Sequence, residues 1–369
     1  MANTLLTPTI IAKEAIIALE NNMVLGNLVH RAYSSEFQSV GATVNIRKPT
    51  TFTASVWAST IAVQAAAEST VQVALNTLFD VSFEVTSQEL THDIADFSEQ
   101  FIQPAMRAHA QVVDSSLAAL YADVSGNRPV SSTPAVSDIT GIGAVLHVQK
   151  VPMADRRLVM HPISEASYMA LDAFLHAEKR ADGGKALRDA SMGRVLGFDC
   201  YMDQNIKTHT ATTTAATALV NGATFAAGGT TLVFDNHGVA AGTASAGDVI
   251  KIGDDEWCLA VGGTWAANAG TIITSKRLGA VDNNEVINFY GTHRANLAFH
   301  KNAFALVTAP LQPPLKSEAQ AAVLNYKGIS CRVVYDYTIS TKKNTISIDQ
   351  LCGFKTLDKD LAGRLMDAR

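Results

Sequence analysis

Two runs of alternating apolar residues flank a nearly uncharged stretch, and a long helical repeat follows them. In the first run Val44 and Ile46 alternate with Asn45 and Arg47 between Gly41 and Pro49. In the second, Val71, Val73 and Leu75, then Phe79, Val81, Phe83 and Val85, take every other position, with a bulge or bend near Asn76–Thr77. A period of two marks strands with one apolar face, and proline ends the first. The stretch between them, Thr50 to Ser69, has Glu68 as its only charged residue and carries Trp57 and Ile61. A structureless loop of about 20 residues is uncommon in a compact domain. The pattern predicts an extended two-stranded arm whose apolar tip lies on an adjacent subunit. The competing reading is a surface hairpin folded back on its own core.

Thr86-Ser87-Gln88-Glu89 has capping-box spacing, and Asp96 with Glu99 marks a second helix start. Ile102, Met106, Val113, Leu117, Leu120 and Val124 then recur at steps of three, four and seven, with Glu99, Gln103, Arg107, Gln111 and Asp114 between them. This predicts an amphipathic helix over Phe97–Val124, about 40 Å long at 1.5 Å per residue. Pro104 either kinks it or sits in its first turns, where the missing amide costs least.

At the other end of this region, Thr7 before Pro8 suits an N-cap followed by a first-turn proline, and predicts a helix to about Asn21. Ile11, Ala15, Ile16, Leu19 and Met23 form an apolar stripe that seeks a partner surface, on its own domain or a neighbour's. Ile11 and Ile16, with Trp57 and Ile61, are candidate subunit contacts.

A linker is predicted over Ser125–Gly143, followed by a short buried strand at Leu158–Met160 and a helix over Ala166–Leu175. From Thr208 to Gly291 the composition shifts to Thr, Ala and Gly, with turn signals at Asn236-His237-Gly238, Gly253-Asp254-Asp255 and Asp282-Asn283-Asn284. Strands are predicted at Leu232–Phe234, Val249–Ile252, Trp257–Val261 and Val286–Phe289. This segment reads as an all-β insertion that folds autonomously around Leu232, Phe234, Val249, Ile252, Trp257, Leu259, Val261, Ile272 and Phe289. After it, Val333–Tyr335 and Ile346–Ile348 flank a turn at Lys342-Lys343-Asn344 and predict a hairpin.

With 369 residues, 47% of them hydrophobic, the chain can bury two or three cores. A net charge of −5 and a pI near 6.1 give no basic field for tight duplex binding, though weak contact with enclosed DNA needs none. No signal peptide or membrane span is read, which points to a protein made in the cytoplasm. Cys200, Cys258, Cys331 and Cys352 lack metal or disulfide spacing and read as buried thiols.

Enzyme signatures are missing. Gly183-Gly184-Lys185 lacks the rest of a phosphate loop, and Asp254-Asp255-Glu256 reads as a solvated turn in preference to a calcium site. His92, His109, His161 and His300 are scattered and read as polar or capping residues. No catalytic residue, cofactor or metal site is predicted.

The opening Met1–Pro8, Phe97-Ser98-Glu99 with Ile102–Met106, Gly197–Asn205 and Asn296–Ala305 carry a resemblance to the major capsid proteins of tailed bacteriophages. The chain resembles most the coat protein of the short-tailed phage P22 type. That resemblance implies an α+β fold of the Hong Kong 97-like kind: N-terminal arm (1–40), extended β-hairpin loop (41–85) and peripheral domain with a long spine helix (86–130). A split, mixed α/β axial domain (131–206 and 295–369) and an inserted β-barrel-like domain (207–294) complete it. It implies self-assembly into an icosahedral shell from a precursor filled with scaffolding protein. A portal protein and weakly contacted DNA would be further partners, and no membrane is involved. Two other readings stay open: a nanocompartment shell of the same fold, and a β-rich binding protein or unrecognised enzyme.

Overall fold

The computed structural model describes residues 8–31, 43–48, 52, 54, 56–57, 63–64, 70–86, 98–130, 133–176, 190–212, 217–222, 229–253, 255–275, 280–314 and 320–368. Among them the helices are α1 (Pro8–Asn22), α2 (Leu25–Leu28), α3 (Gln103–Ala118), α4 (Val136–Val148), α5 (Pro162–Met169) and α6 (Asp172–Leu175). The first strands are β1 (Thr43–Arg47), β2 (Thr70–Ala74), β3 (Thr77–Thr86), β4 (Gly126–Pro129), β5 (Arg156–Met160), β6 (Arg194–Val195), β7 (Phe198–Met202) and β8 (Thr208–His209). Next come β9 (Thr217–Val220), β10 (Thr231–Asp235), β11 (Gly242–Ser245), β12 (Val249–Ile252), β13 (Asp255–Ala266), β14 (Ala269–Thr274) and β15 (Val286–Phe289). The last are β16 (His293–His300), β17 (Phe304–Ala309), β18 (Gln320–Tyr326), β19 (Ile329–Thr338), β20 (Lys343–Thr356) and β21 (Ala362–Asp367). Contacts divide the chain into two units, one of residues 1–22, 31–110 and 305–357, the other of 23–30, 111–304 and 358–369.

The first unit is a sheet in the order β17-β20-β19-β18, with β3 on the remaining side of β20. The predicted hairpin is there, with Tyr335 opposite Ile346 and Val333 opposite Ile348. The break after Leu75, read as a bulge or bend, is a change of partner: β2 pairs with β1, whereas β3 pairs with β20 from Thr77 to Thr86. Along β3 the alternation leaves Leu78, Asp80, Ser82 and Glu84 exposed and turns Val85 inward. Helix α1 packs on β18 and β19 through its apolar stripe.

The long helix begins with a π-helical turn over Ser98–Ile102 and ends with a 3-10 turn over Ala119–Asp123. Pro104 is the second residue of α3 and follows directly on the π-helical turn, the part of the helix where the regular bonding is already altered. In this unit the helix buries Ile102, Met106 and His109, and the His109 ring Nε2 meets the Ile348 carbonyl at 2.9 Å.

In the second unit the axial sheet runs β4-β21-β16-β5-β7-β6, with β8 beside β16. Helix α4 covers it through Ile139, Ile142 and Leu146, which meet Leu158, Met160, Phe198 and Leu365 in one core. This corrects the linker read over Ser125–Gly143: strand β4 and half of α4 lie inside it. The Asp138 carboxylate accepts the Ala135 N–H at 3.0 Å and starts the helix. Gly141 serves close packing, for a Cβ there would stand 2.8 Å from Arg128 Nε. The helix read over Ala166–Leu175 is two short ones, α5 and α6, separated at Ala170–Leu171. Residues 295–369, read as the axial domain's second half, are divided. Strands β16 and β21 complete the axial sheet, but β17 to β20 build the other sheet, because β20 takes β3 as its neighbour.

Asp114 was placed on the polar face of the helix, yet it is buried. Its two carboxylate oxygens accept the Val24 and Gly26 N–H groups at 2.7 and 2.8 Å and so fix the start of α2. Burial, only partly offset by these bonds, pushes its pKa up to about 7.

The inserted segment forms a seven-stranded antiparallel sheet, β11-β13-β12-β15-β9-β10-β14, in which β13 pairs β12 with its first residues and β14 with its last. Its own core joins Ala218, Val220, Leu232, Phe234, Ile250, Ile252, Trp265, Ile272, Ile287 and Phe289. Of the predicted core, Val261 is a correction: it is 71% exposed. The register slips between Leu259 and Gly262, and such a bulge reverses which face the following residues occupy. The Trp257 and Leu259 side chains lie outside what is described.

Candidate functional site

The hairpin β1–β2, expected to carry an apolar tip, is buried at one end only. Its register is continuous from Thr43 opposite Ala74 to Arg47 opposite Thr70. At its base Val44, Ile46 and Val73 bury against Ala305, Val307 and Leu357. Gly353 permits this approach, since a Cβ there would stand 2.5 Å from the Ala74 carbonyl oxygen. Beyond the base, burial stops. Phe52, Val56, Trp57 and Val63 are all exposed, Trp57 at 74%. A tryptophan left this open forgoes a large share of the burial energy its ring can supply.

The other candidates behave differently. Ile11 and Ile16 are buried within their own chain, so the stripe they belong to already has its partner surface. The opposite side of α1 exposes Ile10 and Ile17, and Ile17 lines a shallow groove with Glu14, Gln103 and Arg107. Ile61 lies outside the described residues.

His161 and His300 cap short helical turns, accepting the Ile163 and Asn302 N–H groups through Nδ1 at 3.3 Å each. His109 is a buried ring bonded to a carbonyl, with burial holding its pKa below the usual imidazole value. His92, Gly183-Gly184-Lys185 and Asp254 lie outside the described residues, as do the side chains of Asp255 and Glu256. Cys200, Cys331 and Cys352 are buried thiols, and burial raises the Cys331 thiol to about 12. No described helix is long and apolar enough to cross a membrane.

Sequence reading passed over a polar cluster at the neck of the inserted segment, where β8 and β16 pair with His209 opposite His293. There the His209 ring meets Asp248 at 2.6 Å and the Tyr121 hydroxyl at 2.9 Å. The signal was position: both histidines fall within two residues of the predicted limits, Thr208 and Gly291.

A family model described as P22 coat protein, gene protein 5, matches residues 1–261. No curated protein matches the chain. Among solved structures, a chain from Mycobacterium phage Che8 is similar over 93% of this chain and 90% of its own, at 13% identity and a TM-score of 0.53. The capsid structure of the cyanophage P-SCSP1u is similar over 90% and 85%, at 10% identity and a TM-score of 0.49. The virus-like particle from Pyrococcus furiosus is similar over 96% and 97%, at 9% identity and a TM-score of 0.42. At such identities the likeness to the Che8 chain is one of fold.

Proposed function

The chain belongs to the P22 coat protein family, and from that membership we infer that it is a major capsid protein whose copies build the shell of a tailed bacteriophage. The observation that carries this reading beyond the family match is the hairpin, buried at its base and apolar and exposed at Trp57. Closed shells are held by many repeated, modest interfaces, and each copy must bring surface that only a neighbour can bury.

The fold is read as Hong Kong 97-like, with the hairpin as the extended loop and the helix from Ser98 to Asp123 as the spine. The inserted sheet is read as a small barrel, because the pairing of its last strand in the order, β14, with β13 brings the order back to its second strand. Trp57, with Ile61 beside it in sequence, is the candidate subunit contact. On α1 the exposed Ile10 and Ile17 take over that role from Ile11 and Ile16. Assembly in the host cytoplasm on a scaffolding protein, with a portal protein at one vertex, fits a subunit of this family. An acidic chain suits weak contact with packaged DNA.

Sedimentation and electron microscopy of the purified subunit, across a concentration series and with a co-expressed scaffolding protein, test this. Closed particles are expected. A subunit that stays monomeric throughout would sink the reading, and particles loaded with an enzyme instead of DNA would move it to a nanocompartment shell.

A further inference from the structure

The inserted segment leaves and re-enters the axial fold at one point, where Thr208 and His209 of β8 face Arg294 and His293 of β16. Five polar side chains are buried around this crossing: Asn127, His209, Asp248, His293 and Arg364, none more than 4% exposed. Uncompensated, such groups destabilise a fold, so their bonds matter.

Those bonds grip one turn of the inserted segment, Gly247-Asp248, from two sides. On one side, Asp248 Oδ1 lies 2.6 Å from His209 Nε2, while the other carboxylate oxygen accepts the Ser245 N–H at 2.8 Å and the Thr212 hydroxyl at 3.1 Å. On the other, Arg364 of β21 donates Nη2 to the Gly247 carbonyl at 2.8 Å and Nε to Asn127 Oδ1 at 3.0 Å. Its guanidinium also lies over the Tyr121 ring, 5.3 Å from the centroid. Gly247 has a φ of +91°, and a Cβ there would stand 3.0 Å from the Ala122 Cβ, so glycine suits both the turn and its close seating.

His293 stands against this grip. Its ring is 5.1 Å from that of His209, its Nδ1 donates to the Gly291 carbonyl at 2.8 Å, and its Nε2 is buried with no hydrogen-bond partner. The charged or titratable groups facing it are Arg364 from β21, His209 from β8 and Asp248 from the turn after β11. A proton on Nε2 would be a buried cation beside the Arg364 guanidinium.

We propose that this crossing is a proton-operated latch: with His293 neutral and Asp248 ionised it holds the inserted domain in one orientation on the axial fold, and proton uptake in mild acid releases the domain while both cores stay folded. Burial, and then the Arg364 charge, hold His293 down to about 4. The closed state therefore loses stability as the pH falls from the free imidazole value, about 6.5, toward about 4, and loses no more from this group below that. Burial of Asp248 acts to raise its pKa, but the bonds from His209 and Ser245 outweigh it and hold the carboxyl below its usual value. That group withdraws its support as the pH falls through its closed-state pKa, so both groups act in the same direction. For His293 alone, a closed-state pKa of about 4 favours opening by about 30-fold between pH 7.5 and 5.

Hydrogen exchange on the full-length subunit, read by mass spectrometry and corrected for the intrinsic pH dependence of exchange, tests the latch. Between pH 7.5 and 5, peptides covering 208–212, 245–249 and 291–295 are expected to lose protection by about 30-fold. Strands β5 and β7 of the axial core and β10 and β14 of the inserted core keep theirs. His293→Phe removes the titrating group and is expected to abolish most of the change. Because the wild-type titration needs no variant, a variant that fails to fold does not spare the proposal. Neck protection that ignores pH, a neck that opens only together with both cores, or a His293→Phe subunit with an undiminished pH response would each overturn it.

Discussion

The hairpin β1–β2 and the inserted β-domain are both antiparallel and both carry a tryptophan, yet they treat it in opposite ways. Trp265 is enclosed, with ring centroids of Phe234 and Phe289 at 5.9 and 6.2 Å and its Nε1–H donated to the Val239 carbonyl at 3.1 Å. Gly242 makes room for it, since a Cβ there would stand 2.4 Å from the indole. Trp57 has no such enclosure. One region encloses its tryptophan internally; the other buries its base and leaves its apolar tip exposed, the surface proposed above to meet a neighbouring copy. On that proposal, exposure distinguishes surface that maintains the subunit from surface offered to other copies.

Three substitutions test that contrast, ranked by their expected cost to the subunit. Trp265→Ala should destabilise the inserted domain by about 3–5 kcal/mol in chemical denaturation, the range for emptying a large aromatic site. A silent result would mean that this core does not support itself. Val73→Ala, at the hairpin base, removes two buried methyl groups and should cost about 2 kcal/mol. A smaller loss, under about 0.5 kcal/mol, would show that the base is as loosely held as the tip. Trp57→Asp should change subunit stability least, within about 0.5 kcal/mol, while raising the concentration needed for particle formation at least about tenfold. Equal losses of folding and assembly would place Trp57 in a core and erase the contrast.

How much was legible in the sequence follows from how local each determinant is. Alternation exposed β3, and turn chemistry located β12, β15 and the β19–β20 hairpin, because a period of two and a turn residue are local signals. Val261 escaped because its side is set by a register slip against β14, which no periodicity within β13 records. Asp114 escaped because its partners are backbone amides 88 to 90 residues away, at Gly26 and Val24. Helix α4 was hidden by the glycines of the segment read as a linker, of which Gly141 answers to packing against Arg128. For the candidate site, the apolar hairpin stretch with Trp57 was readable. His209 and His293 were not, since only the folded neck brings them opposite one another.

Strand β21 lies between β4, to which it is parallel, and β16, to which it is antiparallel, and all six of its residues are buried. It also follows every other described strand in chain order. A ribosome makes β4 and β16 first, so the axial sheet has a slot between these two strands until residues 362–367 are translated. The same strand carries Arg364, so the grip on Gly247 arrives with it. The inserted core can collapse during synthesis, but the axial sheet cannot close. Closure of the axial sheet therefore comes after the inserted domain in the order of synthesis, and β21 is the strand that joins β4 to β16.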